Sequence, residues 1–250
     1  MKTVIIGSGN VSYHLCKAFA EAGIPIVQVF GRNETALKEI SEQTQVPYST
    51  TTLASADCYI IAVKDDAIAE VSKRITNDKA LVVHTSGSMP MEVLEGSYRK
   101  GVFYPLQTFS KTKVLDYTEI PFFIEAEKPS DLEILKSLAK RLSPRVMEAK
   151  YEKRKYIHLT AVFACNFVNH LYARAKEIAD AQGVPFYYFL PLIEETTDKI
   201  YHLEPREAQT GPAVRQDTRV LALHKVLIHN PEQLKLYETI NESIKQMYEL

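Results

Sequence analysis

Short apolar runs alternate with stretches of helical spacing through the first half of the chain. "TVIIG" is β-branched and apolar and ends on Gly7; a helical pattern follows over residues 11–22 and is closed by Gly23 and Pro25. "IPIVQVFG" reads as a second strand, and "NETALKEISEQT" as a helix with Asn33 as its cap. "DCYIIAV", "ALVVHTS" and "GVFYPL" continue the series. Strands this short and apolar throughout are covered on both faces. The pattern therefore predicts an α/β fold with a doubly wound, mainly parallel sheet. Near Lys150 the pattern changes. Residues 151–182 contain neither glycine nor proline and read as one long helix, broken by "GVP" at 183–185. Further helices are expected over 186–203, over 213–228 and from Pro231 to the end. The expected organisation is an α/β domain over residues 1–150 and a smaller all-α domain over 151–250, with the boundary near 145–155.

The first turn carries a phosphate-binding pattern. "VIIGSGNVSYHL" places Gly7 and Gly9 between a strand and a helix, the setting in which such glycines cradle a dinucleotide. Gly7 permits the tight turn, and Gly9 lets the backbone approach a pyrophosphate at the helix N-terminus; Ser8, Asn10 and Val11 complete the turn. Ser12 stands where a third glycine is usual, and is expected to loosen the helix–strand contact without abolishing the site. About 20 residues on, where an NAD site has an acid, the chain has Gly31, Arg32 and Asn33. A guanidinium pairs with a ribose 2′-phosphate that a carboxylate would repel, so the expected cofactor is NADP. Ala62 and Val63 leave room for the nicotinamide half at the next strand end, with Thr85 and Ser86 beyond. Asp65 or Asp66 reads as a helix cap.

Reactive side chains gather at two strand ends and in two later segments. His84, Ser86 and Ser88 surround Gly87, while Tyr104 and Gln107 flank Pro105. His84 fits a hydrogen-bonded structural role as well as a catalytic one. In "HLTAVFACNFVNHL", His158, Val162, Asn166 and Asn169 fall on one helical stripe, and polar groups on a core-like helix need partners that a substrate can supply. In "QTGPAVRQD", Pro212 is expected in the first turn of a helix and Arg215 one turn in, where it can clamp a carboxylate; Thr210, Gly211 and Asp217 accompany it. The basic run "KYEKRK" at 150–155 reads as a solvated helix face.

Composition narrows the classes. With 46% hydrophobic residues, 24% charged residues and a net charge of −1, the chain has no electrostatic footprint for nucleic acid or an anionic membrane. Three isolated cysteines with no CxxC spacing argue for a reducing, cytoplasmic setting and against a disulfide framework or a metal site. The long helix would span roughly 45 Å at 1.5 Å per residue, which points to a second chain on one face and a homodimer.

The opening fingerprint, "HTSG", "YPLQTF", the His158…Asn166 helix and "TGPAVRQD" together resemble a family of predicted NADP oxidoreductases. These join a Rossmann-like domain to a C-terminal helical domain of unknown function. More distantly the chain is similar to the 6-phosphogluconate dehydrogenase superfamily, with prephenate dehydrogenase, ketopantoate reductase and pyrroline-5-carboxylate reductase. The resemblance implies NADP binding, a helical domain that forms the dimer, and a substrate-binding loop at Thr210, Gly211, Arg215 and Asp217. Relatives usually have His where Tyr104 stands, and often a Lys and an Asn one turn apart on the long helix, so a lysine-based mechanism does not transfer. The resulting expectation is an NADP(H)-dependent oxidoreductase of a small carbonyl, imine or hydroxy-acid substrate. His158 or Tyr104 donates the proton, Asn166 orients the acceptor, and Ser86, Gln107 and Arg215 hold the substrate's polar end. The alternatives are a non-catalytic NADP sensor or scaffold and, more narrowly, a ketopantoate-type reductase.

Overall fold

The computed structural model describes all 250 residues, and its contacts divide the chain into two units, Met1–Asn166 and Phe167–Leu250. The first unit is built on one eight-stranded sheet. In chain order it runs β1 (Thr3–Ile6), α1 (Asn10–Glu21), β2 (Ile26–Phe30), α2 (Glu34–Thr44), β3 (Tyr48–Ser49), β4 (Cys58–Ile61), α3 (Ile68–Ser72), β5 (Leu81–His84) and β6 (Arg99–Pro105). Then follow β7 (Phe122–Ala126), α4 (Pro129–Lys140), β8 (Val146–Glu148) and α5 (Tyr151–Ala161).

The strand order is β3-β2-β1-β4-β5-β6-β7-β8, with every pair parallel except β6 and β7. The doubly wound, mainly parallel α/β fold read from the sequence is therefore the fold observed. The β7–α4–β8 extension was not legible there. Side chains alternate between two cores, as the two-residue strand period requires. Ile5, Val29, Ile60 and Val83 join Phe19 of α1, Leu37 of α2 and Leu135 of α4 on one face. Val4, Ile6, Ile61 and Val82 join Ile68, Leu94 and Tyr98 on the other. The order reverses about β1, whose neighbours are β2 and β4, and this opens a crevice at the carboxyl edge. A third cluster of Val102, Tyr104, Phe123 and Ala149 seats Ile157 of α5.

A π-helical stretch, Val162–Phe167, follows α5 and leads into α6 (Val168–Ala181). The second unit continues with α7 (Leu190–Lys199), α8 (Pro205–Ala208), α9 (Thr218–Leu227) and α10 (Pro231–Met247). Asn230 caps α10 by accepting from the amides of Glu232 and Gln233 at 2.9 and 3.1 Å. His224 and Tyr237 tie α9 to α10 at 3.0 Å. In this unit only Ala179, Ala213 and Leu221 are buried, while Leu192, Tyr187, Tyr201 and Val226 stand open to solvent. No helix is long and apolar enough to cross a membrane.

Candidate active site

The turn after β1 is shaped by what it excludes. Gly7 has φ +140°, and a Cβ there would lie 2.1 Å from the Ala62 carbonyl oxygen and 2.5 Å from Ser12 Oγ. Its amide donates to the Phe30 carbonyl at 2.7 Å, which ties the β1 turn to the end of β2. Ser12 is fully buried and its hydroxyl donates to the Ala62 carbonyl at 3.2 Å. Serine at the third position thus fastens α1 to the end of β4, contrary to the expected loosening. Gly9 caps α1, and a Cβ there would meet nothing within 4 Å, so the helix N-terminus opens onto free space.

That space is a cavity of about 800 Å³. The turn residues Gly7, Ser8, Gly9, Asn10 and Val11 line one side, and Gly31, Arg32 and Asn33 line the end of β2. Ala62, Val63 and Thr85 close it at the ends of β4 and β5. Of the residues assigned to the coenzyme from sequence, Ser86 alone is not in the lining. Lys64, Glu70 and Arg74 also line the cavity and carried no motif that marked them, and Asp66, read from the sequence only as a possible helix cap, lines it too. Asn33 caps α2, accepting from the Ala36 amide at 3.1 Å, and Asn10 donates to the Phe109 carbonyl at 2.8 Å. The glycine cradle, the open helix N-terminus and the arginine at its far end fit a dinucleotide.

His14, which sequence reasoning passed over, is buried on α1. It donates from Nε2 to the Ser110 carbonyl at 2.9 Å and accepts at Nδ1 from Tyr117 at 3.0 Å. With the Asn10 bond to Phe109, these hold residues 109–117 against the first turns of α1. Gln107 is exposed and its Oε1 accepts from the Thr108 amide at 2.8 Å.

Farther along the carboxyl edge, Tyr104 of β6 meets His158 of α5, with the phenolic oxygen 3.2 Å from Nδ1. Burial pushes the Tyr104 hydroxyl up to about 12, with the Arg154 charge opposing and the Asp65 charge adding. The phenol therefore stays protonated at neutral pH. Gly87 lies against this ring: a Cβ would sit 2.6 Å from Tyr104 Cζ and 2.9 Å from its oxygen. Ser86 Oγ accepts from the amides of Ser88 and Met89, and Ser88 donates to Asp65 Oδ2 at 2.6 Å. Asp65 is thus a partner of this loop, and no side-chain cap opens the 3-10 turn it begins.

Arg154 overturns the reading of "KYEKRK" as a solvated face. It is fully buried, pairs with Glu125 of β7, and donates to the carbonyls of Met89 at 2.6 Å and Ala149 at 3.2 Å. It pins the "HTSGS" loop, β7 and α5 together. His158 lies four residues on, on the same helix face, and is delivered to Tyr104.

His84 is fully buried at the end of β5, and its Nδ1 accepts from the Ser86 amide at 3.1 Å. Burial, aided by the Arg154 charge, lowers its pKa from 6.5 to about 4. The unfolded chain takes up this proton more readily. Stability present above pH 6.5 is therefore lost as pH falls towards 4, by about 3 kcal/mol in full. His14, also lowered by burial, adds in the same direction. Urea midpoints should drop between pH 7 and pH 4.5, and less steeply in His84→Asn; a flat wild-type profile contradicts this.

Asn166 is exposed in the π-helical stretch, which interrupts the α-helical spacing on which the stripe from His158 to Asn169 rests. In the second unit, residues 211–216 form turns rather than a helix start. Gly211 has φ +114° and Thr210 is exposed beside it. Arg215 precedes α9 and is exposed, and Asp217 is the cap, accepting from the Val220 amide at 3.1 Å.

The profile of the family described as NADP oxidoreductase, coenzyme F420-dependent, matches residues 2–87, and that of DUF2520, a domain of unknown function, matches residues 120–244. No curated protein matches the chain. Among solved structures, BF3122 of Bacteroides fragilis, assigned as an NADP oxidoreductase, is 45% identical over 98% of both chains with a TM-score of 0.93. Protein TM1727 of Thermotoga maritima is 22% identical over 99% of this chain and 100% of its own, with a TM-score of 0.84. A 1-pyrroline-5-carboxylate reductase of Streptococcus pyogenes shares the fold over 98% of both chains at 13% identity and a TM-score of 0.65. The chain belongs to the DUF2520 family of NAD(P)-binding oxidoreductases, an NADP oxidoreductase domain joined to the DUF2520 segment.

Proposed function

We propose that this chain is an NADP(H)-dependent oxidoreductase that reduces a small carbonyl or imine compound, with oxidation of the hydroxy acid or amine as the reverse reaction. The observation that carries the reading is the end of the coenzyme cavity. Arg32 lies exposed there without an ion-pair partner, and no acid stands among Gly31, Arg32 and Asn33. A charge-assisted hydrogen bond to a 2′-phosphate is worth about 1.5–3 kcal/mol. Calorimetry should accordingly find NADPH bound more tightly than NADH. Arg32→Ala should weaken NADPH binding by about 10- to 100-fold and leave NADH nearly unchanged. Equal affinity of the wild type for the two coenzymes sinks the assignment.

When bound, the nicotinamide coenzyme supplies a hydride to the substrate carbon. Tyr104 gives the proton to the substrate's oxygen or nitrogen, a role supported by its contact with His158, which can resupply the proton to a phenol that burial makes a weaker acid. His158 is half-buried and returns a proton from solvent to the phenol. Ser86, next to the Gly87 that lies against Tyr104, and Gln107 bind the substrate's polar end, and Asn166 orients the acceptor group. The turn from Thr210 to Asp217, with Arg215 and the open backbone at Gly211, takes a substrate carboxylate. The division of labour is a coenzyme domain over residues 1–150 and a substrate and dimer domain over 151–250. A second copy of the chain covers the exposed apolar side chains of α6 to α10, since three buried residues make no core. The reducing setting expected from the cysteines is the cytoplasm.

A further inference from the structure

The cavity holds a second guanidinium at the Phe30 end. Arg74 lies in the turn after α3, and its Cζ sits 4.7 Å over the centre of the Phe30 ring. Phe30 is the last residue of β2, next to Gly31 and Arg32, and all of these line the same cavity as Arg74. The turn is fixed by its backbone: the Arg74 amide donates to the Val71 carbonyl and the Ile75 amide to that of Ser72, each at 3.2 Å, and Ile75 is buried. Asp66 and Glu70 also line the cavity, yet neither pairs with Arg74. The guanidinium rests on an aromatic face instead, and its N–H groups remain unspent.

We infer that Arg74 is a second phosphate-binding and specificity-determining residue, acting with Arg32 on the 2′-phosphate of the coenzyme. The inference rests on the NADP reading above. A ribose 2′-phosphate carries up to two negative charges on three free oxygens. One arginine fork engages two of these oxygens and leaves the third. Arg32 and Lys64 only offset the carboxylates of Asp66 and Glu70 in this cavity, so it is a further guanidinium that leaves positive charge to meet such a dianion. Phe30 holds the Arg74 plane in place while leaving its edge free to donate.

The test is binding of coenzyme fragments to the full chain. Adenosine 2′,5′-bisphosphate and 5′-AMP are titrated by calorimetry into the wild type, Arg32→Ala, Arg74→Leu and Arg74→Lys, with thermal midpoints taken alongside. Arg74→Leu, which keeps an apolar cover on Phe30, should bind the bisphosphate about 10-fold more weakly and 5′-AMP about as well as the wild type. Arg74→Lys should keep part of the affinity and, with an unchanged midpoint, serves if the leucine variant is unstable. Unchanged bisphosphate binding in both Arg74 variants overturns the inference. An equal loss for both ligands overturns it as well, because Arg74 would then be packing on the adenine. If Arg32→Ala alone loses the bisphosphate, the NADP reading stands and this one falls. If the wild type shows no preference for the bisphosphate, both fall.

Discussion

Arg154→Met is expected to destabilise the protein by about 3–5 kcal/mol, the usual cost of removing one partner of a buried ion pair. The guanidinium is wholly buried and serves three elements at once: Glu125 on β7, the Met89 carbonyl in the loop after β5, and the Ala149 carbonyl ahead of α5. Methionine fills much of the volume but leaves the Glu125 carboxylate charged and mostly buried, with a side-chain exposure of 12%. The carbonyls of Met89 and Ala149 also lose a donor. Thermal unfolding should shift down on the order of 10 °C. The double variant Arg154→Met, Glu125→Leu should recover much of the loss, because replacing both partners removes the orphaned charge. A single variant that melts with the wild type would falsify the role given to this pair.

Tyr104→Phe is expected to lower kcat/KM by about 10²- to 10⁴-fold, the range for loss of a positioned general acid. The substrate is found by following NADPH oxidation across a panel of keto acids and cyclic imines. Phenylalanine keeps the ring that packs on Phe123 and lies against Gly87, and removes only the oxygen that meets His158. Coenzyme affinity should stay within about 2-fold, since Tyr104 does not line the coenzyme cavity. His158→Ala should show a smaller loss and a changed pH profile, as the phenol would still carry its proton. Full turnover by Tyr104→Phe on the substrate so found removes the residue from the chemistry.

The coenzyme half was legible because its signals are local. A β-branched strand, a glycine with φ +140° and a helix with an open N-terminus are neighbours in sequence, so their spacing survives without the fold. Arg154 shows the opposite case. Between Lys153 and Lys155 it is indistinguishable from a surface residue, and its burial is decided by Glu125, 29 positions earlier, and Met89, 65 positions earlier. Arg74 was invisible for the same reason, since its aromatic partner is at the end of β2, 44 positions earlier. The antiparallel direction of β7 leaves no mark in "FFIEA", because apolar strands read alike whichever way they run. At Ser12 the motif is local but the partner is not: the hydroxyl bonds the Ala62 carbonyl 50 positions on, so a side chain expected to act through its bulk acts as a donor.

The reversal at β7 has a consequence for how the helix reaches the chemistry. Because β7 and β8 run against β6, β8 heads away from the carboxyl edge and ends at Glu148, level with Ile124 of β7 and Phe103 of β6. Helix α5 begins three residues later, and its second turn brings an imidazole to the tyrosine next along β6. The inverted pair thus sets the level from which the helix starts. The short joint between Glu148 and Tyr151 sets its phase, since one added residue there would swing every later side chain by about 100°.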